Sequence, residues 1–464
     1  MNGYRLMMQS DSGMEYPRVP RLTTTVLVQR RIRTAWLLGG FCLFVLAPGL
    51  RRAYATPQDA PSEVPPNPQE LLGQADSILQ EMSAITGLPI KSPLKKRLFS
   101  RDQIRPLLVA KFRVDFTPRE IHAEEAALKA FGLIPPEFDL EQFYLDLYTE
   151  QAAGYYDPAQ KTMFIANWVK PDMQRMVMAH ELTHALQDQN YDLERFMRAM
   201  KDEDDASNAR LAVVEGYAMA AMVQYMIKPA RIEQMPSLRQ MMDLQLNQDP
   251  KQFPVYARAP FFFRYQALFP YAEGVGFVQK GLQIGGWKRL NLLFEKPPVD
   301  TQQIFVPQDY YRGLPVDAVT LPASTPLDRM PGATRITENS MGELGYYCLL
   351  GQLANQDEAG SISSGWVADR YIIYQRPQPN RFALLARTRW ASADAAGDFF
   401  DAYCKILAHK YPGLAPDSGN TATHFAAASA SNAVVVIRVN NECRFAEGFP
   451  PAELKSVAQG LATL

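Results

Sequence analysis

The chain has 464 residues, with 48 lysines and arginines against 49 aspartates and glutamates, a formal net charge of −1. That near-balance, with no basic stretch interleaved with aromatics, argues against a nucleic-acid surface, and the length suits two domains behind a leader. No G-x-x-x-x-G-K-[ST] loop, no G-x-S-x-G elbow and no internal repeat occurs, which sets aside P-loop nucleotide hydrolysis, α/β-hydrolase chemistry and solenoid folds.

Residues 1–34 are polar and place Arg30, Arg31 and Arg33 before the one strongly apolar run, residues 35–47. That run is shorter than the roughly twenty residues a spanning helix needs. With the small-x-small site Ala53-Tyr54-Ala55 behind it, the pattern predicts a secretory signal peptide over residues 1–55. Arg51 and Arg52 after the apolar core leave an uncleaved N-terminal anchor open, with membrane attachment through residues 35–47. Met14 is an alternative start, and Cys42 lacks a lipoprotein box. The expected location is periplasmic or extracellular. Cys348, Cys404 and Cys443 then remain, enough for one bridge and a free thiol but not for a disulfide framework.

Residues 56–91 are expected to be a proline-rich linker followed by an amphipathic helix, with Leu72, Ala75, Leu79 and Met82 on one face. That helix either packs on the body or regulates it. From Ser92 the pattern is globular. Ser100-x-x-Gln103 and Thr117-Pro118-x-Glu120 are two capping boxes, the second with proline at the first helical position. Residues 143–157 and 161–168 follow, the second predicted as a strand around Met163, Phe164 and Ile165.

Residues 176–189 read M-V-M-A-H-E-L-T-H-A-L-Q-D-Q. On a helix, His180 and His184 stand one turn apart and present two imidazoles to one point, with Glu181 one step round. Two neutral imidazoles beside a carboxylate are the layout of a zinc peptidase, with Glu181 as general base. A chain with five histidines carries H-E-x-x-H by chance roughly once in a few hundred sequences. The plain alternative is a surface helix that happens to carry two histidines. Met173, Met176 and Val177 at helical spacing argue against it, because they make the histidine face the buried one.

A catalytic zinc site takes three protein ligands and an open position. A third histidine does not follow within the helix: Gln187 and Asn190 stand where the glycine and histidine of the longer motif would fall. Residues 205–227 form a second helical pattern in which Glu215 is the one charged residue between Leu211 and Val223. A lone carboxylate in so apolar a helix is costly unless it binds a cation or a partner such as arginine. Gly216 beside it permits close approach of another helix or of the metal. His180, His184 and Glu215 are therefore the expected ligands of one Zn2+. The acidic residues 202–205 are expected to be a solvated loop suited to the following helix dipole.

H-E-L-T-H-A-L-Q-D-Q followed by V-V-E-G-Y-A resembles the zincin metallopeptidases of the gluzincin type, whose third ligand is a glutamate. The chain is similar in particular to a poorly characterised group of bacterial exported H-E-x-x-H proteins. Gly154-Tyr155-Tyr156-Asp157-Pro158, Gly286-Trp287 through Pro297-Pro298, Thr301-Gln302-Gln303 and Gly365-Trp366-Val367-Ala368-Asp369-Arg370-Tyr371 extend the match, which spans roughly residues 90–410. The resemblance implies a zincin body whose strand before the zinc helix, here residues 161–168, is an edge that pairs with extended substrate. Two positions depart from the pattern. Met219 stands where thermolysin-like relatives carry an aspartate that orients a histidine, so Asp188 or Asp205 is expected to support the ligands instead. Val306 stands where the exported group tends to carry a histidine.

Farther on, Phe261 to Phe263 are expected in the core, and residues 271–285 and 287–295 as helices. Tyr156, Tyr217 and Tyr271 are the candidates for stabilising an oxyanion. Past a proline-bearing boundary near residue 325, strands are expected at 371–374, 382–388 and 433–439, and helices at 392–409 and 451–464. Asp369 and Arg370 are expected as a buried pair beneath Trp366, and His409 and His424 at the surface. The expected fold is α+β: a mainly helical zincin-like domain with a small sheet over residues 92–325, then a smaller C-terminal α+β module over 326–464. The expected function is an exported zinc-dependent peptidase acting on peptides or proteins. The rival is a non-proteolytic zinc-binding envelope protein that acts as an interaction module. A third reading is a zymogen whose N-terminal helix covers the cleft.

Overall fold

The computed structural model describes residues 68–464, apart from 169–170, 201–202, 244–250 and 252. The leader and nearly all of the linker expected from the sequence therefore lie outside the described residues. Helix α1 (Pro68–Thr86) buries Ala75, Ile78, Leu79 and Met82 on one face, as its spacing predicts. Strand β1 (Lys95–Phe99) leads into α2 (Arg101–Asp115) and α3 (Pro118–Phe131), and both capping boxes stand at the starts of these helices. At α3 the box is reciprocal: Glu120 N–H donates to Thr117 Oγ1, and Thr117 N–H donates to the Glu120 carboxylate. Helix α4 (Leu140–Gln151), capped by Asp139, precedes β2 (Gly154–Asp157) and β3 (Thr162–Ala166).

These strands form a small sheet of order β1-β3-β2, with β1 parallel and β2 antiparallel to β3. The strand implied to be a substrate-pairing edge is thus the central one, and every residue of β3 is buried. The physical reason is β1. Its K-K-R-L-F sequence carries no apolar alternation, yet it occupies the side of β3 that would otherwise be open. The edges are β1 and β2.

Helix α5 (Pro171–Tyr191) follows, then α6 (Leu193–Arg198) and α7 (Asp204–Ile227). Residues 211–223 of α7 are buried without a break, as expected of a helix that is apolar all round and enclosed by others. After α8 (Leu238–Asp243) and α9 (Pro254–Arg258) comes the long α10 (Phe261–Asn291). As expected, two helices meet within this stretch: Gly285 and Gly286 leave helical geometry, the second at φ 63°, and kink the run there. Phe263 is buried, with Phe261 and Phe262 half-buried beside it. Helices α11 (Gln302–Phe305) and α12 (Pro307–Arg312) complete the helical part.

Helix α1 packs on both α5 and α7. The segment behind it is fastened by the end of α5, where Gln189 Oε1 accepts from the Lys91 and Ser92 N–H groups and Asn190 donates to the Pro89 carbonyl.

The C-terminal part contains β4 (Thr334–Asn339), α13 (Gly342–Leu350), α14 (Gln356–Ser363), β5 (Trp366–Gln375), β6 (Phe382–Trp390), α15 (Ala393–Lys410), β7 (Ala415–Pro416), β8 (His424–Ala428), β9 (Ala433–Val439), β10 (Glu442–Phe449) and α16 (Leu454–Ala462). Its seven strands form an antiparallel sheet of order β4-β5-β6-β10-β9-β8-β7. Val434 and Val436 join the core cluster that contains Phe399 of α15, while Val435 and Ile437 join the cluster that contains Val457 and Leu461 of α16. Burial on both faces explains why β9 reads as an unbroken apolar run. The fold is α+β, a mainly helical part followed by this sheet-bearing part.

Two expectations fail in the packing. Asp369 does not pair with Arg370; it accepts from Ser340 Oγ, the Met341 and Gly342 N–H groups and Trp366 Nε1, while Arg370 pairs with Glu203 and Glu338. Successive strand residues face opposite ways, so neighbours 369 and 370 cannot share a partner across one face. Asp205 is not in a solvated loop. It is buried in the first turn of α7 and accepts from the N–H and hydroxyl of Thr301. Among the described residues Cys348, Cys404 and Cys443 are free thiols.

Candidate metal centre

Helix α5 carries His180 and His184 one turn apart, and α7 runs beside it with Glu215 facing them. Nε2 of His180 lies 3.1 Å from Glu215 Oε2, Nε2 of His184 lies 3.4 Å from the same oxygen, and the two Nε2 atoms are 3.0 Å apart. The imidazole rings stand nearly perpendicular, at 82°. Three donors around a tetrahedral zinc at 2.0–2.1 Å would stand roughly 3.3 Å apart, so the observed triangle has the size such an ion needs. His180, His184 and Glu215 are the one group of this kind among the described residues.

Burial sharpens the point. His180 and Glu215 are 0% exposed, Glu181 1% and His184 2%. Glu215 Oε1, His180 Nδ1 and Glu181 Oε1 are buried without a hydrogen-bond partner, a costly state for a polar atom. A cation between the three facing donor atoms would compensate the buried Glu215 carboxylate, though not His180 Nδ1, which faces away from that point, and the donor chemistry of two imidazoles and a carboxylate suits Zn2+. The residues present fit the ion.

The charges of these four groups act on one another. Burial opposes ionisation of Glu215, but His184 and His180 outweigh it and hold the carboxyl down to about 2. Burial likewise opposes charge on His184, yet Glu215 and Glu181 raise it to about 9, while burial lowers His180 to about 4. Glu181 is pushed up to about 8 by burial, against the pull of His184.

Glu181 is oriented by the backbone. Its Oε2 accepts the Tyr156 N–H of edge strand β2 at 2.8 Å. That strand is held against α5 two turns further on, where buried Asp188 accepts from Tyr156 Oη at 2.7 Å and from Lys161 Nζ. Asp188 therefore anchors the β2–β3 hairpin and does not orient a histidine. Asp205, committed to Thr301, does not either. The amide of Gln187 takes that place: its Oε1 lies 2.9 Å from His184 Nδ1, and its Nε2 donates to the Val214 carbonyl at 3.1 Å. In the sequence Gln187 stands out only as the residue in place of the longer motif's glycine. The available signal was an amide three residues after His184, on the same helical face.

The oxyanion candidates separate. Tyr271 of α10 lies beside His180, ring centroids 6.1 Å apart. Its approach follows from Gly216 and Gly274, where α7 and α10 cross so closely that a Cβ on Gly216 would stand 2.3 Å from the Gly274 backbone. The hydroxyl of Tyr217 donates to Asn291, and that of Tyr156 to Asp188. Met219 is buried in α7, Val306 precedes α12, His409 is exposed and His424 half-buried.

A helix pair presenting His, His and Glu around one point, with a second glutamate oriented beside it, defines a metallopeptidase-like centre. The comparisons agree at that level. The family model described as IrrE N-terminal-like domain (Peptidase_M78), a zinc metallopeptidase-like family, matches residues 136–229, which contain His180, Glu181, His184 and Glu215. A second model, described as a domain of unknown function (DUF8575), matches residues 329–458, from just before β4 into α16. No curated protein and no solved structure matches the chain.

Proposed function

We propose that the chain is an exported zinc-dependent peptidase in which His180, His184 and Glu215 hold one Zn2+ and Glu181 is the general base. The reading is carried by the convergence of three buried donor atoms from α5 and α7, and the zinc metallopeptidase-like family match over the same residues supports it. A zinc ion in such a donor set acts as a Lewis acid that acidifies water and polarises a carbonyl. The chain's own residues supply the rest. With Oε2 of Glu181 held by the Tyr156 N–H, Oε1 is the basic atom, taking a proton from the attacking water and returning it to the leaving amine. Tyr271, beside His180, is the candidate donor to the oxyanion that develops on the scissile carbonyl. The substrates are peptides or proteins. Export is proposed on the basic residues and apolar run of the leader. Residues 56–91 would then link that leader to a catalytic domain over 92–325 and a C-terminal module over 326–464.

The test is metal content and peptide-library cleavage by the full chain and its Glu181→Gln variant. One zinc per chain in both, with cleavage by the parent alone, is the expected result. Zinc in both without cleavage by either would favour the non-proteolytic zinc-binding reading, and no zinc in the parent would end the metal reading.

A further inference from the structure

We infer that Gln187 is a positioning residue: its side-chain amide fixes which nitrogen of His184 faces the metal and ties that histidine to the backbone beside Glu215. The inference rests on the metal reading above and specifies how the ligand set is held. The hydrogen bonds leave one assignment. The Val214 carbonyl can only accept, so the amide nitrogen of Gln187, 3.1 Å away, must face it. The amide oxygen then faces His184 Nδ1 at 2.9 Å, and because that oxygen can only accept, Nδ1 carries the proton. In the neutral, ligating form of the ring the lone pair is then on Nε2, the atom that faces His180 and Glu215.

An amide is required because the two contacts have opposite polarity. A carboxylate at 187 would accept from His184 but would face the Val214 carbonyl with a second acceptor. A lysine would donate to Val214 but offers the histidine proton no acceptor. Gln187 is fully buried, so water does not substitute for either bond. Val214 immediately precedes Glu215, so one side chain links a ligand on α5 to the backbone of the ligand on α7. His180 has no counterpart: its Nδ1 is without a partner among the described residues, and its ring lies against Tyr271. The aspartates placed to serve as supports are engaged elsewhere.

The test uses the full chain with Gln187→Met and Gln187→Glu. Zinc affinity is measured by competition with a chromophoric chelator, coordination geometry by the absorption spectrum of the Co2+-loaded protein, and folding by thermal unfolding of the metal-free forms. Gln187→Met keeps the shape and loses both bonds. It is expected to weaken zinc by about 10- to 100-fold and to alter the Co2+ spectrum. Gln187→Glu keeps the acceptor for His184. It is expected to hold zinc within about threefold of the parent, with the parental Co2+ spectrum, while its metal-free form melts lower through the lost Val214 contact. Parental affinity in Gln187→Met, or equal weakening in both variants, would overturn the positioning role and leave Gln187 a packing residue. A parent that binds no zinc would instead overturn the metal reading, a separate and visible failure.

Discussion

Replacing Gly216 by alanine puts a methyl group where α7 and α10 have no room for it. An ideal Cβ at Gly216 lies 2.3 Å from both the carbonyl carbon and oxygen of Gly274, against the 3.4 Å at which ordinary contact begins. The shortfall is 3.4 − 2.3 = 1.1 Å. The obstacle is backbone, so no rotamer change relieves it and the helices must part by about that distance. Overpacking of this kind costs ~1–3 kcal/mol, and the rigid obstacle puts Gly216→Ala near ~3 kcal/mol. The same movement disturbs the metal centre, because Glu215 precedes Gly216 and Tyr271 stands one turn before Gly274. Sites of this type need their groups held within ~0.5 Å, so zinc affinity should fall about tenfold or more. Gly274→Ala, whose Cβ would meet the Ala212 carbonyl oxygen at 2.4 Å, should behave alike. Gly73→Ala in α1 is the control: nothing lies within 4 Å of its Cβ, and loss of a helical glycine should stabilise by up to ~1 kcal/mol. Thermal unfolding of metal-free protein and chelator competition measure the two effects separately. A Gly216→Ala protein as stable as the parent, with unchanged zinc affinity, would refute the claim that this crossing sets the site.

Two further outcomes are expected. Glu343, buried at the start of α13, is raised to about 9 from an ordinary 4.5, by burial first and then by Asp205, Asp300 and Glu273. The folded carboxyl therefore keeps its proton where the unfolded one loses it, and stability declines as pH climbs from about 4.5 toward 9. At about 1.4 kcal/mol per unit, the 2.5 units up to pH 7 amount to about 3 kcal/mol. Glu343→Gln should recover much of that at pH 7 and nothing at pH 4.5; denaturation curves for parent and variant that run parallel across this range would reject it. Tyr271→Phe should lower kcat by about 10²- to 10³-fold with zinc affinity unchanged, if its hydroxyl meets the oxyanion; an unaltered kcat would reduce Tyr271 to a packing partner of His180.

What the sequence made legible follows from how local each signal is. His180 and His184 are paired by helical periodicity alone, and Glu215 declares itself as a charge in an otherwise apolar helix, so the residues of the centre could be chosen before any tertiary arrangement was known. Gly216 pointed to close packing for the same reason, although its partner Gly274, 58 positions later, carried no signal of its own. The supports were not legible, because each depends on what lies across a gap in sequence. Asp188 follows His184 by four residues, on the face where a supporting carboxylate would stand, yet it is drawn away by Tyr156 and Lys161 from the β2–β3 hairpin. β3 is central and not an edge because Lys95–Phe99, charged and without alternation, takes its open side. Likewise β10 was missed: its E-C-R-F-A-E-G-F sequence carries Glu442, Arg444 and Glu447, and beyond the contact of Arg444 with Glu442 the two carboxylates are met from other elements. Glu442 meets Arg387 and Arg389 across β6, and Glu447 meets Lys410 at the end of α15. A charge pattern read along the chain marks such a segment as exposed. Read across the sheet, it marks a strand whose buried carboxylates hold β6 and α15 in place, so removing either glutamate should unsettle its partners more than the strand itself.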